Sequence, residues 1–134
     1  MDHNVTSKKF EDYDIKSIVS DTDILEMQKL NGFIYLDPKI KSYIMELIKK
    51  TRNKDFKMGD YIELGGSPRA TIAVSMAAKS RAMINGRNYV TPADIKLVIK
   101  DVLRHRLILS YKARAEGVTA DDVMDEILKV VPVP

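Results

Sequence analysis

The chain has 134 residues, the size of one ordinary domain; 45% are hydrophobic and 31% charged, which suits a globular fold with a real core. A net charge of +3, from 22 basic and 19 acidic residues, creates no dominant field for nucleic acid. The lack of cysteine excludes disulfides and thiolate metal sites, and two histidines far apart, His3 and His105, leave no material for a zinc site or a Ser-His-Asp triad.

No apolar run approaches a membrane span, and the N-terminus, MDHNVTSKKFEDYD, has no signal-peptide core, so the expected location is the cytoplasm with no membrane partner. Residues 1–13 are polar and aperiodic and read as a linker or tail. In SDTD, Ser20 with Asp23 three residues on forms a capping box. A short helix follows, with Ile24, Met27 and Gln28 on one side, ending near Gly32. The FIYLD segment, 33–37, reads as an extended connector. Asp37-Pro38 opens a second helix whose Ile40, Tyr43, Ile44, Leu47 and Ile48 form a core-facing stripe, and whose end is basic. A polar loop leads to YIEL, 61–64, read as a short strand.

Gly65-Gly66 then turns the chain into a helix over 68–85, with Ser67 as cap and Pro68 at the first helical position. Its small residues, among them Ala70, Ala73, Ala77, Ala78 and Ala82, let neighbours approach closely, which makes it the central helix. Gly86 fits the position just past its end. Asn88-Tyr89-Val90 is extended, and Thr91-Pro92-Ala93-Asp94 caps a helix with the stripe Ile95, Val98, Ile99 and Val102. HRLIL, 105–109, fits a strand or a helix continuation; YKARAEG, 111–117, reads as a polar loop. Thr119 to Asp122 repeats the cap before a last helix carrying Val123, Ile127 and Val131. The expected fold is mainly α, a compact helical bundle of about five helices with up to three short strands.

One helix start stands apart. Those at Ser20, Thr91 and Thr119 bring their own acid, and Asp37 is one; Ser67 is followed by Arg69 and no acid. Free N–H groups, the helix dipole and the arginine all favour an anion that this stretch does not supply. A phosphate from elsewhere answers that need; Arg69 extending to solvent or pairing with a distant acid answers it too. No GxxxxGK[ST] accompanies it, so most of any nucleotide site lies outside these residues. The acids Asp121/Asp122 and Asp125/Glu126 suit a helix start better than catalysis, and the seven methionines read as core filling. A histone-fold-like module binding DNA or protein is the rival reading, which a continuous basic stripe along Lys79, Arg81, Arg87 and Lys96 would support. A lone Arg69 beside an apolar groove would oppose it.

The run LGGSPRAT…AAKSRAMINGRNYVTPADIK…VLRHRLIL, followed by AEGVTADDVMDEILKVVPVP, resembles the C-terminal lid domain of MoxR-type AAA+ ATPases over roughly Ile18 to Pro134. SIVS and YIMELIKKTR fit as well. The resemblance implies a domain over 18–134 behind a linker or tail, 1–17. It implies that GxSPRA is the sensor 2 motif, with Gly66, Ser67 and Pro68 forming the turn that aims Arg69 at the γ-phosphate. Arg69 would then be catalytic, and the cofactor would be ATP with Mg, held mainly by a core domain. The implied partners are the AAA+ core of the same protein, neighbouring subunits of a ring, commonly a hexamer, and von Willebrand A-domain proteins; the implied activity is chaperone-like remodelling. Thr71 stands where the family has a small residue, with no loss of chemistry. Walker A, Walker B, sensor 1 and the arginine finger are missing from these residues, so the chain is expected to be no ATPase on its own and, with its family-like PVP ending, a C-terminal fragment.

Overall fold

The computed structural model describes Tyr13 and residues 16–134. The expectation for 1–17 thus lies almost wholly outside the described residues. Six α-helices and a two-stranded sheet follow in the order α1 (Asp21–Phe33), α2 (Pro38–Asn53), β1 (Ile62–Leu64), α3 (Arg69–Ile84), α4 (Pro92–Leu103), β2 (Ile108–Leu109), α5 (Tyr111–Ala115) and α6 (Ala120–Val130), with a 3-10 turn at Gly59–Tyr61.

Capping decides most boundaries. Ser20/Asp23, Thr91/Asp94 and Thr119/Asp122 each form the reciprocal box the sequence foretells, and Asp37 accepts from Lys39 N ahead of Pro38. Gly86, at φ 69°, ends α3: its N–H bonds the carbonyl of Met83, and Arg87 N bonds that of Ala82. This paired return needs a left-handed residue, which glycine adopts without strain.

The core forms around α3, which buries Ala70, Val74, Ala78 and Ala82 at four-residue spacing. Three alanines on that stripe let α3 lie close to α4, which answers with Ile95, Ile99 and Leu103. From the other side α2 brings Ile40, Tyr43, Ile44, Leu47 and Ile48, the predicted stripe entire. Val123, Met124 and Ile127 of α6 close the cluster, and Val131 is buried as expected. Val98 and Val102 pack against the core only partly.

Strands β1 and β2 are antiparallel, with Ile62 opposite Leu109 and Leu64 opposite Ile108. Tyr35 and Tyr89 form an isolated parallel bridge, with Tyr35 N donating to Asn88 O and Val90 N to Tyr35 O. One expectation needs correction. The segment 111–117 is not a loop throughout: α5 occupies 111–115, capped by the Ser110 hydroxyl, which brings the helices to six, close to the expected count of about five. HRLIL ends in a strand, one of the two forms expected for it, and the two named strands fall within the expected three. Helix α1 buries none of its residues.

Candidate functional site

Strand β1 delivers the chain to a backbone arm, Gly65 to Pro68, that ends at Arg69. The arm is fixed from below by the last turn of α2. Buried Thr51 donates its hydroxyl to Ile48 O at 2.6 Å and accepts Gly66 N–H at 2.9 Å. Gly65 passes so close to this residue that a Cβ would stand 2.4 Å from the Thr51 carbonyl oxygen. Only glycine permits that approach. Gly66 is buried but less constrained: a Cβ there would meet Leu103 at 3.4 Å.

Beyond the glycines the chain emerges into solvent. Ser67, Pro68 and Arg69 are all exposed. Pro68 has helical angles, φ −55° and ψ −27°, but takes the cap position expected of Ser67, and the first helical residue is Arg69. Ser67 does not cap: its carbonyl accepts Ala70 N, and no side chain bonds the N-terminal amides of α3. The other five α-helices of the described residues all have a side-chain cap. The first turn of α3 has no acid either. The Arg69 guanidinium has no ion-pair or hydrogen-bond partner among the described residues, which removes the reading in which it pairs with an internal acid. An uncapped helix start and an unengaged cation therefore share one exposed corner, the arrangement that takes an anion.

Ile72 and Met76 continue from Arg69 along one side of α3, and both are more than half exposed. They line a groove of about 750 Å³ whose far wall is Gln28, Asn31 and Phe33 of α1 and the 34–36 connector. Helix α1 bounds it lightly, through Asn31 Nδ2 donating to Ser80 Oγ and Lys79 Nζ to Gly32 O. Arg69 lies one helical turn before Ile72 of this groove, and with no basic stripe beside it that placement opposes a histone-fold-like module.

The proposed basic stripe is largely spent inside the fold. Arg87 makes a bidentate pair with Asp94 at 2.7 and 2.8 Å, and Arg81 lies 3.7 Å from the same carboxylate. Asp94 also accepts from the backbone and hydroxyl of Thr91. The Arg87 guanidinium and these donors hold the buried Asp94 at a pKa of about 2, well below the usual 3.8, against the opposing effect of burial. This clasp ties the end of α3 to the start of α4. Asp121 and Asp125 pair with Arg104 and Lys100, Asp122 caps α6 and Glu126 pairs with Lys129, so the acidic run is structural. Among the described residues no cluster of His, Asp and Glu could hold a metal ion, and no helix is long and apolar enough to cross a membrane.

Sequence reasoning found the arm and the arginine but missed Thr51, which anchors them. A threonine in the last turn of an amphipathic helix, at a core-facing position, is the one signal that could have revealed it.

Residues 58–127 match the family described as the AAA lid domain. The chain is 35% identical over 123 residues to Chaperone MoxR1 of Mycobacterium tuberculosis, covering 89% of this chain and 33% of the relative. It is 33% identical over 120 residues to the uncharacterised protein YeaC of Bacillus subtilis, covering 90% of this chain and 36% of that one. The crystal structure of a Cytophaga hutchinsonii protein assigned provisionally as an ATPase superposes with a TM-score of 0.82 at 36% identity, over 89% of this chain and 37% of the other. The chain spans about a third of the length of these proteins. With the family model matching more than half of the chain and the superposition extending over 89% of it, the chain belongs to the AAA lid domain family, as the lid of a MoxR-type AAA+ ATPase.

Proposed function

We propose that this domain, taken as residues 18–134, closes over ATP held by an AAA+ core and that Arg69 contacts the γ-phosphate as the sensor 2 arginine. One observation carries the reading: an exposed arginine without a protein partner stands at the only α-helix start of the described residues that no side chain caps. The amides of the first turn and the guanidinium converge on one anion, and a phosphoryl group that gains charge in the transition state gains most from both. Gly66, Ser67 and Pro68 set the direction, and Thr51 keeps the arm from yielding. The exposed Ile72 and Met76 supply an apolar surface for the same closure. The residues present fit a phosphate. They offer no acidic set for magnesium, whose ligands would come from the core.

Loss of the γ-phosphate would release Arg69 and let the lid rotate against the core. For the whole protein the proposal extends to ring assembly, chaperone-like remodelling and von Willebrand A-domain partners, of which the likeness to Chaperone MoxR1 supports the chaperone reading. The test is ATP turnover by the protein carrying both core and lid, at saturating ATP and magnesium. Arg69→Ala should lower kcat by about a hundredfold, the usual loss when one such donor goes, with the circular dichroism of the lid unchanged. Equal turnover by both proteins would remove Arg69 from the reaction.

A further inference from the structure

The sequence holds two Asn-Gly pairs, Asn31-Gly32 and Asn85-Gly86. Asparagine is chemically labile, and most so before glycine, whose missing side chain leaves its backbone nitrogen free to attack the preceding side-chain amide. The structure separates the two pairs. Asn31 and Gly32 lie inside α1 and are pinned across to α3: Asn31 Nδ2 donates to Ser80 Oγ at 2.6 Å, and Gly32 O accepts Lys79 Nζ at 3.4 Å. Asn85 and Gly86 stand exposed at the end of α3, Asn85 as its cap at φ −87° and ψ 14°, Gly86 at φ 69°. The Asn85 side chain bonds only its own helix, with Nδ2 donating to Arg81 O at 2.7 Å. We propose that Asn85-Gly86 is a covalent modification site, where the amide is lost and the main chain rearranges, and that the Arg87–Asp94 clasp sets its rate.

In the first step Gly86 N attacks Asn85 Cγ and gives up its proton, the Cγ–Nδ2 bond breaks, and ammonia leaves a five-membered succinimide. Water then opens the ring at either carbonyl. One route leaves aspartate. The other leaves isoaspartate, with the main chain running through the side-chain carboxyl and lengthened by one methylene. The folded junction holds the reactants apart. Gly86 N donates to Met83 O at 2.9 Å, and at ψ 14° this nitrogen is turned away from the Asn85 side chain, so closure needs the last turn of α3 to open. The next holds on the junction belong to Arg87: its N–H on Ala82 O at 2.9 Å, and its guanidinium on Asp94 at 2.7 and 2.8 Å. The clasp therefore governs how often the reactive geometry is reached. Both products damage the junction. The aspartate loses the donor to Arg81 O and sets a carboxylate at the negative end of the helix. The isoaspartate spoils the spacing by which Gly86 and Arg87 return to Met83 O and Ala82 O. This site is at the opposite end of α3 from Arg69 and does not rest on the function proposed for that arginine.

The experiment ages the protein carrying core and lid in mildly alkaline buffer, digests it and maps the peptides by mass spectrometry, with an isoaspartyl methyltransferase to label the isoaspartate product. A synthetic peptide of residues 82–89 is aged beside it as the unfolded reference. Conversion is expected at Asn85, slower than in the peptide and severalfold faster than at Asn31, with methyl label on the fragment that contains residue 85. Asp94→Asn should speed conversion at Asn85 about tenfold, as loss of a charged pair shifts a local opening equilibrium, and leave Asn31 unchanged. Asn85→Gln, whose amide would have to close a larger ring, should abolish the label. Amide exchange at Gly86 and Arg87 should quicken as wild type converts, and stay constant in aged Asn85→Gln. An intact Asn85 once the peptide has converted, earlier conversion at Asn31, a rate that Asp94→Asn leaves unchanged or raises equally at both sites, or unchanged exchange in converted protein would overturn the proposal.

Discussion

Asp94→Asn tests the clasp that fixes α3, the helix that presents Arg69. The substitution keeps the shape and removes the charge that Arg87 grips at 2.7 and 2.8 Å and that Arg81 faces at 3.7 Å. The native carboxyl titrates at about 2 against 3.8 for a free aspartate. That difference is worth about 2 kcal/mol of stability at neutral pH. Because the folded value is the lower one, the contribution is complete above about pH 5, where both states are ionised. It declines as pH falls, is roughly half gone at pH 3, and vanishes below pH 2, where both states are protonated. Urea unfolding followed at 222 nm, at pH 7 and pH 3, should show the variant about 2 kcal/mol less stable at the first and about half as much so at the second. A deficit that is the same at both pH values, or under about 0.5 kcal/mol at pH 7, would show that the charge does not hold the clasp.

Three further predictions rest on packing around the arm and the central helix. Gly65→Ala should cost about 2 kcal/mol or more, because its Cβ would stand 2.4 Å from the Thr51 carbonyl oxygen, whereas Gly66→Ala, with contacts from 3.4 Å, should cost under about 1; thermal melts of the two variants give the comparison, and equal losses would refute it. Ala78→Leu should destabilise by about 3 kcal/mol, since Ala78 is fully buried in the small-residue stripe of α3; a melting temperature within a degree or so of wild type would mean that α3 does not need its small residues. Thr51→Val should lower stability by about 1–2 kcal/mol by stranding the Gly66 N–H in the core, and amide exchange at Gly66 should quicken; unchanged exchange would show that another group holds the arm.

The fold was legible wherever one local signal sufficed. Asp37-Pro38, the three capping boxes and Gly86 mark their boundaries because each satisfies a helix end within a few residues. The apolar period of α2 is equally local. Helix α5 escaped because five residues are too few to show a period; its only marks are Ser110 and Gly117, the latter at φ 70°. Helix α1 is the reverse case, since Ile24 and Met27, three residues apart on one side, remain exposed. Periodicity tells which face is apolar, not whether this chain covers it. At the site, the bare charge of Arg69 was visible because the neighbouring helix starts supply a contrast. Thr51, fifteen residues from Gly66, and the Arg87–Asp94 pair across a helix junction are tertiary facts that spacing does not encode.

The measurement that bears most directly on Arg69 is nucleotide discrimination by the protein carrying core and lid. Fluorescent ATP and ADP analogues would be titrated into wild type and Arg69→Ala, and the ratio of the two dissociation constants compared. If Arg69 touches the γ-phosphate, the variant should bind the triphosphate about tenfold more weakly, the loss expected for one charge-assisted contact, and bind the diphosphate as before. If both affinities fall together, or neither changes, Arg69 does not read the γ-phosphate, and the uncapped start of α3 serves some other anion.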